Sequence, residues 1–271
     1  MRSALPITLL LALPLAFSVR GQGQPESLVS AWRDAVLLLY ADAHQVFRTE
    51  VGVDPALRRE RLVGEALTLL NLQPRTEANV SRARSILDGL QKDEAADEIG
   101  ILSRYYLGRI AQIHNLTPDP EAAIRIFRNL LDDHPDHLFG QFAGVKWALV
   151  YLGTAPTPEI RLTRLTEIEG IVPLITLPGP AKDLHLFLAD GSERYAGDLE
   201  QSLRHLIAAG DLGISKRNLR GDVFVRIGEI ALALGQTEIA LDYFQRFLAE
   251  FPRDLRTYTI TRKVRELEAA P

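Results

Sequence analysis

The sequence contains no cysteine in its 271 residues. That excludes disulfides, thiolate metal centres and lipid attachment through an N-terminal cysteine. Aromatic residues are scarce, at 7%, and no stretch keeps up the apolar–polar alternation of a β-strand. A basic excess is missing too. Lys and Arg number 31 against 35 Asp and Glu, a formal net charge of -4, whereas a nucleic-acid binder usually carries a basic face. The HExxH, GxSxG and phosphate-loop glycine patterns do not occur, which removes the common zinc-protease, serine-hydrolase and nucleotide-binding readings. What is present is 46% hydrophobic and 24% charged, enough apolar mass for a core. Alanine and leucine are abundant, so the composition points to helices.

The N-terminus stands apart. Arg2 supplies positive charge, "ALPITLLLALPLAF" (Ala4 to Phe17) is apolar, and small residues follow at Ser18 and Gly21. This is the layout of a secretory signal peptide. The run is shorter than the roughly 20 apolar residues of a membrane span and contains Pro6 and Pro14. The reading is therefore a signal peptide over 1–21, a leader over 22–27 and one helical domain over 28–271. Losing Arg2 and Arg20 leaves 29 basic residues against 35 acidic ones, a net charge of -6. An exported chain without disulfides suits a bacterial periplasm better than a eukaryotic extracellular space. No later segment is long enough to span a bilayer.

From Leu28 onward, apolar residues recur three and four apart, as in "LVGEALTLL" (Leu62 to Leu70) and "AAIRIFRNLL" (Ala122 to Leu131). This periodicity predicts helices over 28–49, 55–72, 76–91, 95–115, 119–133, 137–152, 157–176, 180–195, 198–209, 216–234, 237–250 and 254–268. Pro55, Pro120 and Pro158 sit near helix starts, each preceded by an N-cap candidate: Asp54, Asp119 and Thr157. Pro135 and Pro252 act as stop signals. Short connections predict antiparallel neighbours.

Two segments share a spacing. Gly108, Ala123, Phe127 and Pro135 form one set, and Gly228, Ala240, Phe244 and Pro252 the other. Alanine to phenylalanine is four residues in both, and phenylalanine to proline is eight in both. Glycine to alanine is fifteen in the first and twelve in the second; the extra three fall in the "NLTPDP" loop, where insertion costs little. A glycine inside a helix costs about 1 kcal/mol relative to alanine. Close approach of a second helix would offset that cost, with the phenylalanine filling the space beside it.

These residues resemble the tetratricopeptide repeat family, a helix-turn-helix with a large-then-Gly pair, a small residue opening the second helix, an aromatic one turn later and a closing proline. Phe224 occupies the family's bulky position early in the first helix, whereas Arg104 departs from it, with Tyr105 alongside. The rest of the chain keeps amphipathicity more than motif. The resemblance implies an all-α fold, a right-handed α-solenoid of stacked antiparallel hairpins, of a bacterial exported type. It further implies a non-enzymatic scaffold that binds a protein or peptide on its concave face. The expected contact residues are Leu102, Tyr105 and Arg109 in one unit and Asp222, Val225 and Glu229 in the other. The final helix over 254–268 suits a polar cap. An accessory or carbohydrate-associated domain of an envelope enzyme system and a self-assembling structural protein are the alternatives.

Sites for chemistry are few. "DDHPDH" (Asp132 to His137) reads as a polar turn rather than a metal site, and Glu167 and Glu169 read as a solvated face. "GDLGISKRNLRGD" (Gly210 to Asp222) reads as a loop followed by a helix start. Trp32 and Trp147 are far apart in sequence. No cofactor, metal or nucleic-acid partner is expected.

Overall fold

The structure is a computed structural model that describes residues 26–49 and 54–269. The expected signal peptide lies outside the described residues. Thirteen α-helices follow one another, with no β-strand, among the described residues. In chain order they are α1 (Glu26–Val36), α2 (Tyr40–Arg48), α3 (Pro55–Leu69), α4 (Glu77–Asp93), α5 (Glu98–Arg109), α6 (Pro120–Asp133) and α7 (Leu138–Gly153). Then come α8 (Pro158–Glu169), α9 (Pro178–Gly191), α10 (Leu199–Asp211), α11 (Arg217–Ala233), α12 (Thr237–Glu250) and α13 (Thr257–Glu268). Two compact units divide the chain, Met1–Leu130 and Leu131–Pro271. The division falls inside α6 and not at a linker.

Local chemistry sets the helix starts. Pro55, Pro120 and Pro158 are each the first residue of a helix, where the missing N–H has no partner to lose. Asp119 accepts the Ala122 N–H at 2.9 Å and Thr157 the Ile160 N–H at 3.3 Å, satisfying donors that the helix leaves open. His137, from the polar turn, caps α7 by accepting the Phe139 N–H at 3.1 Å.

In each unit, consecutive helices pack on one another: α1 to α5 in the first, α9 to α13 in the second. Short connections make these neighbours antiparallel, so both units are built from helical hairpins. The glycine–phenylalanine pairs sit where the two helices of a hairpin approach closely. A Cβ on Gly108 would lie 2.5 Å from the Phe127 ring, and one on Gly228 would lie 2.3 Å from the Phe244 ring. Ala123, Phe127, Ala240 and Phe244 are fully buried. The glycine lets the ring come close against the helix backbone, which is the close approach that offsets its helix-propensity cost.

Two expected helices are corrected. Residues 28–49 are not one helix but the hairpin α1/α2, turned at Leu37–Leu39 with Leu38 at φ +66°. The apolar run through this turn keeps helical periodicity and holds no Gly or Pro, so nothing local marks the break. The hairpin supplies a third ring contact. Ala43 and Phe47 are four apart and fully buried, and Phe47 lies 2.3 Å from where a Cβ on Gly64 of α3 would be. Here the ring precedes its glycine in the chain. Residues 157–176 divide into α8 and a short 3-10 turn, Val172–Leu174, because Pro173 cannot continue an α-helix.

Among the described residues no helix is long and apolar enough to cross a membrane. In α7 the side chains of Phe139, Ala143, Val145, Trp147, Ala148, Val150 and Leu152 are all buried. A helix that is apolar on most sides belongs inside a core.

Candidate partner-binding face

The first helix of each motif hairpin, α5 or α11, is where partner contacts are expected. On α5 the expectation is corrected. Leu102 is 1% exposed, Tyr105 is 0% and Arg109 is 9%. The Tyr105 ring lies 5.9 Å from that of Phe127 and 5.5 Å from that of Tyr106, centre to centre, so it serves the hairpin core. Ile101 and Ile110 are buried as well. The expected contact face of α5 is closed, because α5 packs against both α4 and α6. Arg109 donates to Gln112 Oε1 at 2.5 Å within its own helical turn.

On α11 the face is open. Asp222 and Glu229 are exposed and Val225 is half-buried. Ion pairs tie them to the chain that follows. Arg256 Nη1 lies 2.7 Å from Asp222, and Lys263 Nζ of α13 lies 2.6 Å from Glu229. Arg226, one residue after Val225, pairs with Asp190 of α9 and with Glu193 at 2.7 Å. Arg256 also grips Asp254 at 2.8 Å, and hydrogen bonds from Arg256 hold that carboxyl down to about 2. Although burial works against the Arg226 charge, Glu193 and Asp190 hold the guanidinium protonated. The result is a row of alternating charge along α9, α11 and α13. Each pair is exposed enough for a charged segment to compete with it, since exposed pairs contribute only about 0–1 kcal/mol.

Two clefts of about 360 Å³ lie elsewhere. One, in the first unit, has Leu107, Ile110 and Ile126 as its apolar wall and Arg84, Asp88 and Asp119 at its edges. It sits beside the inserted loop, where Arg84 donates to Asn115 Oδ1. The other, in the second unit, lies between α8 and α10 and is lined by Leu162, Leu165, Thr166, Glu169, Ala196 and Gln201.

Glu169 corrects a second expectation. It does not stand on a solvated face but accepts from Gln201 Nε2 and from His205 Nε2, the latter at 2.5 Å. His205, only 8% exposed, meets His185 with the two Nδ1 atoms 2.9 Å apart. No local motif marks this cluster, although both histidines are ten residues from Tyr195 in the turn between their helices. Equal distance from a hairpin turn is what brings two residues face to face. Among the described residues no group of three or more His, Cys, Asp or Glu side chains is placed to hold a metal. Trp32 is occupied in the first unit, donating to Glu60 at 2.8 Å, and Trp147 stacks on Tyr151 at 4.8 Å in the second.

Comparison with known proteins matches one segment of the second unit. Residues 222–254 match a family model described as tetratricopeptide repeat, which spans most of α11 and all of α12. No curated protein matches the chain. Among solved structures, a thermophilic tetratricopeptide-repeat protein of Thermus thermophilus is similar over 78% of this chain and 100% of its own, at 16% identity and a TM-score of 0.45. The matched repeat carries Asp222, Val225 and Glu229, and repeats of this family generally mediate protein–protein contacts as non-enzymatic scaffolds.

Proposed function

We propose that this protein is an exported, non-enzymatic scaffold that binds a protein segment along the α11 face of its second unit. The observation that carries the reading is the exposure of Asp222 and Glu229 in the matched repeat, set in a row of ion pairs that a charged segment can replace. The equivalent positions on α5 are closed by buried Leu102 and Tyr105. Export is supported by Arg2, the apolar run Ala4 to Phe17 and the small residues after it. A periplasmic address follows from combining export with the lack of cysteine.

The test is a pulldown with chain 22–271 from an envelope extract of the source cell, alongside D222A/E229A. Both side chains are exposed, so the variant should fold with a stability change of only about 0.5 kcal/mol. One specific protein should be retained by the wild type and lost from the variant, and its capture should weaken as salt rises. Equal capture by both chains would take the contact away from α11. N-terminal sequencing of the protein recovered from cells decides export separately: an intact Met1 start would end that half of the reading.

A further inference from the structure

The Glu169–His205–His185 chain lies outside the α11 face and does not depend on the partner reading. Its hydrogen bonds join the end of α8, the middle of α10 and the middle of α9. An ionised Glu169 only accepts, so the proton between Glu169 and His205 sits on His205 Nε2. In the neutral ring Nδ1 of His205 is then an acceptor, and His185 must donate its Nδ1–H across the 2.9 Å gap. The facing nitrogens thus share one proton. If both rings are imidazolium, two N–H groups and two positive charges face each other there, and the bond cannot exist.

We propose that this chain is an acid-sensitive clamp, holding α8, α9 and α10 together while one proton lies between the two rings and releasing them when both rings are charged. Other charges do not relieve the conflict. The charged groups acting on His185 are His205 and Glu169. Lys182 and Asp183, earlier on α9, pair with each other at 3.4 Å, and Asp190 is taken by Arg226. Gln201, the other group on Glu169, is neutral. Burial, then the His205 charge, push the His185 pKa below 6.5, and Glu169 only partly opposes them. A released histidine takes up its proton near the ordinary value of about 6.5. The clamp is therefore fully closed above that pH and weakens as pH falls below it, about tenfold per pH unit for each proton taken up on opening.

Hydrogen exchange of the full chain, corrected for intrinsic rates, tests this at about pH 7.5 and about pH 5. Protection over 178–211 should fall at least about tenfold at the lower pH relative to 217–250. His185→Asn keeps an N–H donor near the Nδ1 position but does not titrate, so it should abolish the difference. Equal wild-type protection at the two pH values would overturn the clamp, as would a fall in H185N as large as in the wild type. Loss of protection at neutral pH on adding a chelator would also overturn it, because a metal ion and not a proton would then join the rings. Ring titration by NMR gives a decision that needs no variant. A His185 midpoint below 6.5 supports the clamp, and one at or above that value refutes it.

Discussion

The two motif hairpins, α5/α6 and α11/α12, hold their rings in the same way and turn in different ways. In both, a phenylalanine ring lies where a glycine Cβ would be, 2.5 Å away in the first and 2.3 Å in the second. The first helix of one hairpin runs into a π turn, Ile110–His114, and a long loop closed by the Asp119 N–H on the Ala111 carbonyl at 2.8 Å. That of the other ends on Gly235 at φ +72°, with the Gln236 N–H on Ala231 O at 2.8 Å and the Gly235 N–H on Leu232 O at 3.0 Å. The ring contact therefore specifies the hairpin and the turn does not. Three inserted residues change how the chain gets from one helix to the next without moving the glycine off its ring, as expected when loop length enters closure entropy only logarithmically.

If the ring contact is what the hairpins share, removing it should produce the largest effect and a matched one. Phe127 and Phe244 are both fully buried. Phe127→Ala and Phe244→Ala should each cost about 3–5 kcal/mol through lost burial and a remaining cavity. Hydrogen exchange should show the loss first in the hairpin that carries the change. A cost at one site less than about half that at the other would break the equivalence, because it would show one glycine–ring contact to be incidental.

The turns should separate under acid. His114 closes the π turn of the first hairpin, and its Nδ1 is buried without a hydrogen-bond partner. Burial, then Arg109 and Arg75, push its pKa down to about 4, against a smaller opposing effect from a backbone bond to Leu70. The folded ring therefore refuses a proton that the unfolded chain accepts near 6.5. Stability from this site is full above about 6.5 and is lost as pH falls toward 4, by at most about 3 kcal/mol. His114→Gln keeps a side-chain N–H donor and does not titrate, so denaturant unfolding of H114Q should vary less with pH over that window. The α11/α12 turn contains no histidine and contributes nothing there. Parallel pH profiles for H114Q and wild type would show that the first turn is as indifferent to acid as the second.

Local spacing in the sequence marks the motif hairpins and little beyond them. Gly108, Phe127, Gly228 and Phe244 were legible because four residues between alanine and ring is one helical turn, and a glycine inside a helix needs a reason. Proline-led helix starts were legible for the same local cause. The α1/α2 hairpin was not, because Leu37–Leu39 turns without the residues that normally announce a turn. The closed face of α5 was not legible either. Periodicity assigns a side of the helix to each residue, but what packs on that side belongs to tertiary structure, and Tyr105 went to the core. On α11 the same assignment left Asp222 and Glu229 exposed, since a carboxylate is rarely buried unless paired. The His185–His205 contact was within reach, given the symmetry of the two positions about Tyr195, but histidines twenty apart are conspicuous only once the turn between them is located.

The smallest effect isolates the turn alone. Gly235 is at φ +72° with nothing within 4 Å of where a Cβ would be. In Gly235→Ala the new methyl meets no neighbour, so its cost is purely the left-handed backbone, about 1–2 kcal/mol. Gly235→Asn should cost less, because asparagine tolerates that conformation better than alanine. Among the described residues none between Ile110 and Pro120 has a positive φ. Thr117→Ala, at an exposed position of the longer loop, should therefore lie within about 0.5 kcal/mol of wild type. Denaturant midpoints at constant slope measure all three variants. A midpoint for Gly235→Ala below that for Gly235→Asn, with Thr117→Ala unchanged, would give the two turns different designs. The twelve-residue spacing would depend on one left-handed residue, while the fifteen-residue spacing uses its extra length to avoid one. If Gly235→Ala is instead tolerated without cost, the cap hydrogen bonds to Ala231 and Leu232 re-form in another geometry, and the two turns differ in length only.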